Sequence, residues 1–149
     1  MGLFNFLKKK PPFDDPFFGM LRYHVVGDRA WFEGHKRFAP LDKEIGILMD
    51  ADAEGATEAQ RKFYQDLENN YTEMVARVKP VLENEFRNWK EDFVIQDFNR
   101  EFILDHLRIP EQGIIPLKWE IVYTSIHDLN HYFTIEFEGM EPQGIVIDG

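Results

Sequence analysis

The sequence predicts an α+β domain: one antiparallel sheet of five to six strands, an N-terminal meander plus C-terminal hairpins, with two to three helices packed on one face. Three observations carry this reading. Apolar residues alternate at period two before about residue 50 and again after residue 117, while the middle third repeats at three and four. Alternating strands have one face to bury and a helical stripe needs a partner, so helices on one side of a sheet satisfy both. The chain has 149 residues, 44% of them hydrophobic and fourteen of them phenylalanine, which is material for one well-filled core and argues against disorder.

The first strand is FFGMLRYHVV, from Phe17 to the turn signal Gly27-Asp28. DRAWFEG makes a second strand closed by Gly34, and HKRFAPLD either extends it or crosses to the next. KEIGILMDA is a third, with Ile45, Ile47 and Met49 alternating. A helix follows from Thr57, whose T-x-x-Q spacing to Gln60 is a capping box. Its stripe is Phe63, Leu67, Tyr71, Met74, Val75 and Val78, and it resumes at Val81, Leu82, Phe86 and Trp89. Pro80 either kinks this helix or opens a second one. FNREFILDHLRI reads as a further short helix, with Phe98, Phe102, Ile103 and Leu107 inward, ended by Ile109-Pro110. LKWEIVYTS and YFTIEFEG then alternate as strands, and GIVID is a last short strand reached through GMEPQG, a six-residue turn.

Charge excludes several functions. The formal net charge is −10, and the three lysines at positions 8–10 are the only charges in the first ten residues, so the remaining chain carries −13. Such a body repels phosphate backbones and anionic lipid, which argues against nucleic acid as a partner and favours a basic protein. With no cysteine, disulfides, thiolate nucleophiles and cysteine-bound zinc are excluded. No apolar run approaches the roughly 18–20 residues that span a bilayer. A secretory signal places basic residues before its apolar stretch, the reverse of the order here. The expectation is a cytoplasmic protein.

Residues 1–12 read as a mobile amphipathic leader and proline spacer, and 13–149 as a single α+β domain. MGLFNF fails as a myristoylation signal, since Phe6 stands where Ser or Thr is needed. A helical leader would put Leu3, Phe4 and Leu7 on one side, Phe6 toward another, and Lys8–Lys10 at headgroup level. Ten residues are fewer than the ~12–15 at which isolated helices become marginal, so the membrane contact this segment offers is weak and reversible. The plainer expectation is that its phenylalanines are free, or pack on the domain or a second copy.

Candidate chemistry is sparse. DADAEG, Asp50–Gly55, begins like a calcium loop, but the twelfth position, which needs a bidentate Glu, is Arg61. It reads as an acidic link near a helix N-terminus, where the macrodipole favours carboxylates. In SIHDLNH, His127 and His131 are four apart, a zinc spacing on a helix but not in a hairpin connection. Asp128 and Asn130 are ordinary turn residues there. This loop is nonetheless a candidate surface, because loops on rigid strands often carry binding residues. His24, Asp28 and His35 lie near one hairpin, and Trp31, Trp89 and Trp119 read as core more readily than as a pocket. No nucleophile elbow or phosphate-binding glycine loop is present. No catalytic residue, cofactor or metal ligand is assigned; the candidate interaction residues are Leu3, Phe4, Phe6, Leu7, His127, Asp128, Asn130 and His131.

The stretches FDDPFFGMLRY…WFEG, TEAQRKFYQDLEN and LKWEIVYTSIHDLNHYFTIEFEG resemble a group of small bacterial domains of unknown function. Some similar domains occur beside polymorphic toxins and are suspected immunity proteins. The resemblance covers most of residues 13–149 and implies an α+β fold in the bacterial cytoplasm with no established enzyme activity. The expected function is an acidic protein-binding module, immunity-like in kind. The alternatives are a peripheral membrane-associated factor held by residues 1–10, and a small-ligand binder or enzyme using the His127–His131 loop or the first meander.

Overall fold

The computed structural model describes residues 12–51 and 54–149. Four strands come first: β1 (Phe13–Asp15), β2 (Gly19–Val26), β3 (Arg29–Phe38) and β4 (Lys43–Met49). Three helices follow, α1 (Glu58–Asn69), α2 (Tyr71–Phe86) and α3 (Phe98–Glu101), then β5 (Phe102–Ile109), β6 (Lys118–Ser125), β7 (Asp128–Glu138) and β8 (Glu141–Asp148). All eight strands form one sheet in sequential order. The α+β class stands. Two details differ from expectation: among the described residues there are eight strands rather than five to six, and the sheet is mixed, because β4 and β5 are parallel. The fold is two four-stranded meanders joined by a helical crossover, which is what a parallel pair requires.

One missed strand is β5, expected to be helical. Its buried residues are Phe102 and Leu104, then Leu107 and Ile109. A bulge at Asp105 shifts the register between Leu104 and His106. The extra residue turns one step of two into a step of three, and the alternation then imitates a helix. Only Phe98–Glu101 is helical there.

The other missed strand is β1. Asp15 Oδ1 accepts from the backbone N–H groups of Phe17 and Phe18, both at 2.8 Å, so DPFF is a turn and β2 starts at Gly19 rather than Phe17. The single long helix is two, broken at Asn70, whose side-chain amide and backbone N–H both go to the Asp66 carbonyl. The backbone bond is the last of the α1 ladder; the side-chain bond to the same carbonyl is the kind by which Asn competes with a helix. Pro80 opens no second helix; it sits on the exposed side and α2 runs through it. The stripe stops at Phe86, so Trp89 lies beyond the helix and is 60% exposed. The last connection is two residues, Gly139-Met140, because β8 already begins at Glu141.

The core lies between the helices and one face of the sheet. Leu21, Phe32, Ile47, Leu107, Ile121 and Ile135 belong to it from six adjacent strands, and Phe63, Leu67, Met74, Val78, Leu82 and Phe86 face them from α1 and α2. Aromatic contacts dominate: Trp119 stacks on Phe137 at 4.3 Å and meets Phe63 edge-on at 5.2 Å. The hydroxyls of Tyr71 and Tyr123 bond each other at 2.9 Å inside this layer, which lets two polar tips be buried. Burial pushes the Tyr71 hydroxyl up to about 12, and drives that of Tyr123 well above its usual value.

Close approach fixes one glycine. A Cβ on Gly34 would lie 2.7 Å from Leu21 Cδ2 and 2.9 Å from the Met20 carbonyl oxygen. Gly34→Ala should therefore cost about 1–3 kcal/mol in urea denaturation, the range for overpacking. Gly144→Ala, with nothing within 4 Å of the added carbon, should change stability by less than about 1 kcal/mol. Equal effects at the two positions would contradict the packing.

Candidate functional site

The helices cover one face of the sheet and leave the other open. The strand registers place Arg22, Glu33, Leu48, Arg108, Glu120, Glu136 and Gly144 in one row across that open face. The neighbouring row holds His35, Gly46, His106, Val122, Thr134 and Val146. Val122 is 3% exposed although it lies outside the core cluster, so the middle of this face is sunk beneath its neighbours.

Acidic side chains on this face crowd toward β6 and β7. Glu120 and Glu136 are directly opposite one another, and Glu138 pairs in register with Lys118 on one side and Glu141 on the other. Like charges directly opposite destabilise a sheet. Glu141 is drawn to Arg77 of α2 at 2.7 Å. Arg108 bonds Asp50 at 2.8 and 3.3 Å and lies opposite Glu120 in register; the Asp50 bonding, partly opposed by burial and helped by the charges of Asp50 and Glu120, raises its guanidinium pKa above the ordinary value. A shallow cleft of about 340 Å³ runs over Glu120, Glu136, Glu138, Gln143 and Gly144, with Arg108 and Lys118 also in its wall, so its lining is acidic by a single charge.

A second cleft, of about 580 Å³, opens where β4 and β5 end side by side. Crevices at the carboxyl ends of parallel strands are common ligand sites. Trp31 forms part of its wall, stacked on His24 at 5.4 Å with the Arg29 guanidinium 5.9 Å from the ring centre. Arg29, Arg108 and Lys118 are balanced there by Asp28, Asp50 and Glu111, so the lining selects no sign of ligand charge. The three tryptophans thus separate: Trp119 is core, Trp31 borders a cleft, and Trp89 is exposed.

The expected loop 125–131 is a two-residue turn, Ile126-His127, and Asp128, Asn130 and His131 belong to β7. His127 and His131 do not converge. His127 Nε2 lies 2.7 Å from Glu101 Oε1, and His131 Nδ1 lies 2.7 Å from Asp128 Oδ2. The N–H of Asn130 donates to Asp128, and this bond, with His131, outweighs desolvation and holds the Asp128 carboxyl below its usual range. His24 bridges to Glu33 at 3.3 Å, while His35 pairs in register with Gly46, so His24, Asp28 and His35 form no cluster.

Glu101 is the residue the sequence reading missed. Buried at the end of α3, it accepts the backbone N–H groups of Gln96 and Asp97 as well as bonding His127. Its carbonyl takes the Ser125 hydroxyl and the Ile126 N–H. One residue therefore ties the α2–α3 connection to the β6–β7 turn. Burial pushes its carboxyl up, but the bonds from Asp97, His127 and Gln96 together outweigh it and hold the group below the usual range.

Of the DADAEG link, Asp50 is engaged by Arg108, while Asp52 and Ala53 lie outside the described residues. Arg61, at the position a calcium loop needs for Glu, pairs with Glu58 and Asp15. Leu3, Phe4, Phe6 and Leu7, and with them the leader expected at 1–12 except Pro12, also lie outside. Among the described residues no group of three or more His, Asp or Glu side chains is placed to hold a metal ion, and no helix is long and apolar enough to cross a membrane.

The Glu101 site makes a pH prediction. A depressed carboxyl pKa stabilises the fold above the ordinary value of 4.5, and that stability is lost as pH falls through the folded-state value. Glu101→Gln should cost about 1–3 kcal/mol at neutral pH. The gap from the parent chain, followed by denaturation, should close below the ordinary carboxyl value; a gap that persists under acid would contradict the assignment.

Comparisons with protein-family models, with curated proteins and with solved structures find no match to this chain.

Proposed function

We propose that the protein is an acidic protein-binding module, immunity-like in kind, whose partner is a basic protein held at the open face of the sheet. The observation that carries this reading is the Glu120–Glu136 pair, set directly opposite across two strands. Like charges set opposite cost stability; Arg108 offsets Glu120 from its other side, while Glu136 has only Gly144 on its own. A partner's lysine or arginine would relieve it. The net charge of −10 supports the same reading, because it steers basic surfaces toward the chain and repels acidic ones.

The contact is electrostatic in its approach and so depends on salt, since exposed charges more than about a Debye length apart are screened. A bacterial lysate passed over the full-length chain should leave basic proteins bound at about 50 mM salt and release them by about 500 mM. A variant with Glu120, Glu136 and Glu138 all changed to Gln should retain such partners about tenfold less at low salt. Failure to retain basic proteins, or retention indifferent to salt and to the three substitutions, would overturn the proposal.

A further inference from the structure

The two edges of the sheet are finished differently. At one edge β1 is three residues long and is flanked by Pro12 and Pro16. Short strands and prolines are how proteins close an edge against further pairing. At the other edge β8 runs for eight residues, none of them buried. Its first half is closed in a similar way. Pro142 has no N–H to donate, Gln143 is the extra residue of a bulge, and the Gln143 side chain occupies the Glu141 carbonyl.

The second half is not closed. Gly144–Asp148 pairs regularly with β7, from Glu136↔Gly144 to Tyr132↔Asp148, and contains neither proline nor lysine. Beyond that ladder, its backbone has no hydrogen-bond partner among the described residues. The outward N–H and C=O groups are a template for one more strand.

Resting on the protein-binding reading, we infer that Gly144–Asp148 is where the partner joins, an extended basic segment adding to the sheet as a ninth strand. Side-chain alternation gives the segment its pattern. Ile145 and Ile147 are half-buried on the helix side, so the segment presents apolar residues there. Gly144, Val146 and Asp148 lie on the open side. Gly144 has no side chain and free space above it, so a lysine or arginine opposite reaches across to Glu136. Asp148 offers a second carboxylate at the other end of the stretch. The preferred segment alternates apolar and basic residues.

Charge also argues against a second copy as occupant. Two chains of −10 repel each other.

The test uses the full-length chain and a synthetic nine-residue peptide alternating valine and lysine, with a valine–glutamate peptide as its counterpart. The lysine peptide should slow hydrogen exchange at the outward amides of Gly144–Asp148 and bind about tenfold more weakly at high salt; the glutamate peptide should do neither. Gly144→Lys, which fills open space with a cation, should abolish binding of the lysine peptide without loss of the folded spectrum. No binding, or binding that leaves these amides unprotected, would overturn the inference. So would edge amides already slow in the isolated chain, whether they speed up on dilution, which assigns the edge to a second copy, or on removal of residues 1–10, which assigns it to the chain's own leader. A lysate partner held equally by the parent and by Gly144→Lys overturns the edge alone and leaves the protein-binding reading standing. Loss of salt-sensitive capture by the parent chain overturns both.

Discussion

One buried amide holds the architecture together. Gln60 is 1% exposed and makes three side-chain hydrogen bonds, to three separate segments. Its oxygen accepts the Thr57 N–H at 3.0 Å, completing the cap of α1. Its nitrogen donates to the Asp50 carbonyl at 2.6 Å and to the Pro110 carbonyl at 3.2 Å. Those carbonyls stand just past the ends of β4 and β5, the parallel pair where the two meanders meet. Strand ends leave backbone carbonyls that must find donors or lose about 1–3 kcal/mol each. Gln60 supplies both from the first turn of the helix that crosses between them.

That junction makes the open face one surface. Gly46 of β4 faces His106 of β5 closely enough that an added Cβ would lie 3.0 Å from the histidine's Cβ. Either side of this close line, each meander brings its own polar residues: Arg22, Glu33 and His35 from the first, Glu120, Thr134 and Glu136 from the second. The buried face is repaid by aromatic packing against α1 and α2. The open face receives no such cover, and its acidic crowding at β6 and β7 and its unclosed β8 edge are features that folding alone does not require.

Much of this was legible in the chain. Ile45, Ile47 and Met49 alternate and are buried, Trp119, Ile121 and Tyr123 do the same, and the Thr57–Gln60 cap forms with both reciprocal bonds. The misreadings share a local cause. Asp105 inserts one residue into β5, Gln143 inserts one into β8, and Asp15 folds back on Phe17 and Phe18; each breaks a period that sequence reasoning relies on. The candidate site was harder to see for a different reason. Glu120 and Glu136 are sixteen positions apart, and only the strand register brings them face to face. His127 reads from the chain as a candidate interaction residue in an exposed turn, and its partner Glu101 lies in a segment that reads as an ordinary helix. The second role of Gln60 was invisible for the same reason: a capping box is local, while the carbonyls of Asp50 and Pro110 are brought to it by the tertiary fold.

The most direct measurement compares Gln60→Glu with Thr57→Ala by equilibrium denaturation at neutral pH. A glutamate at position 60 keeps an acceptor for the Thr57 N–H but offers no donor to the two carbonyls. If the amide joins the meanders, Gln60→Glu costs about 3 kcal/mol or more, against about 1 kcal/mol for loss of the cap alone in Thr57→Ala. A Gln60→Glu chain no less stable than Thr57→Ala would mean that the parallel junction is held by packing, and that the amide is only a helix cap.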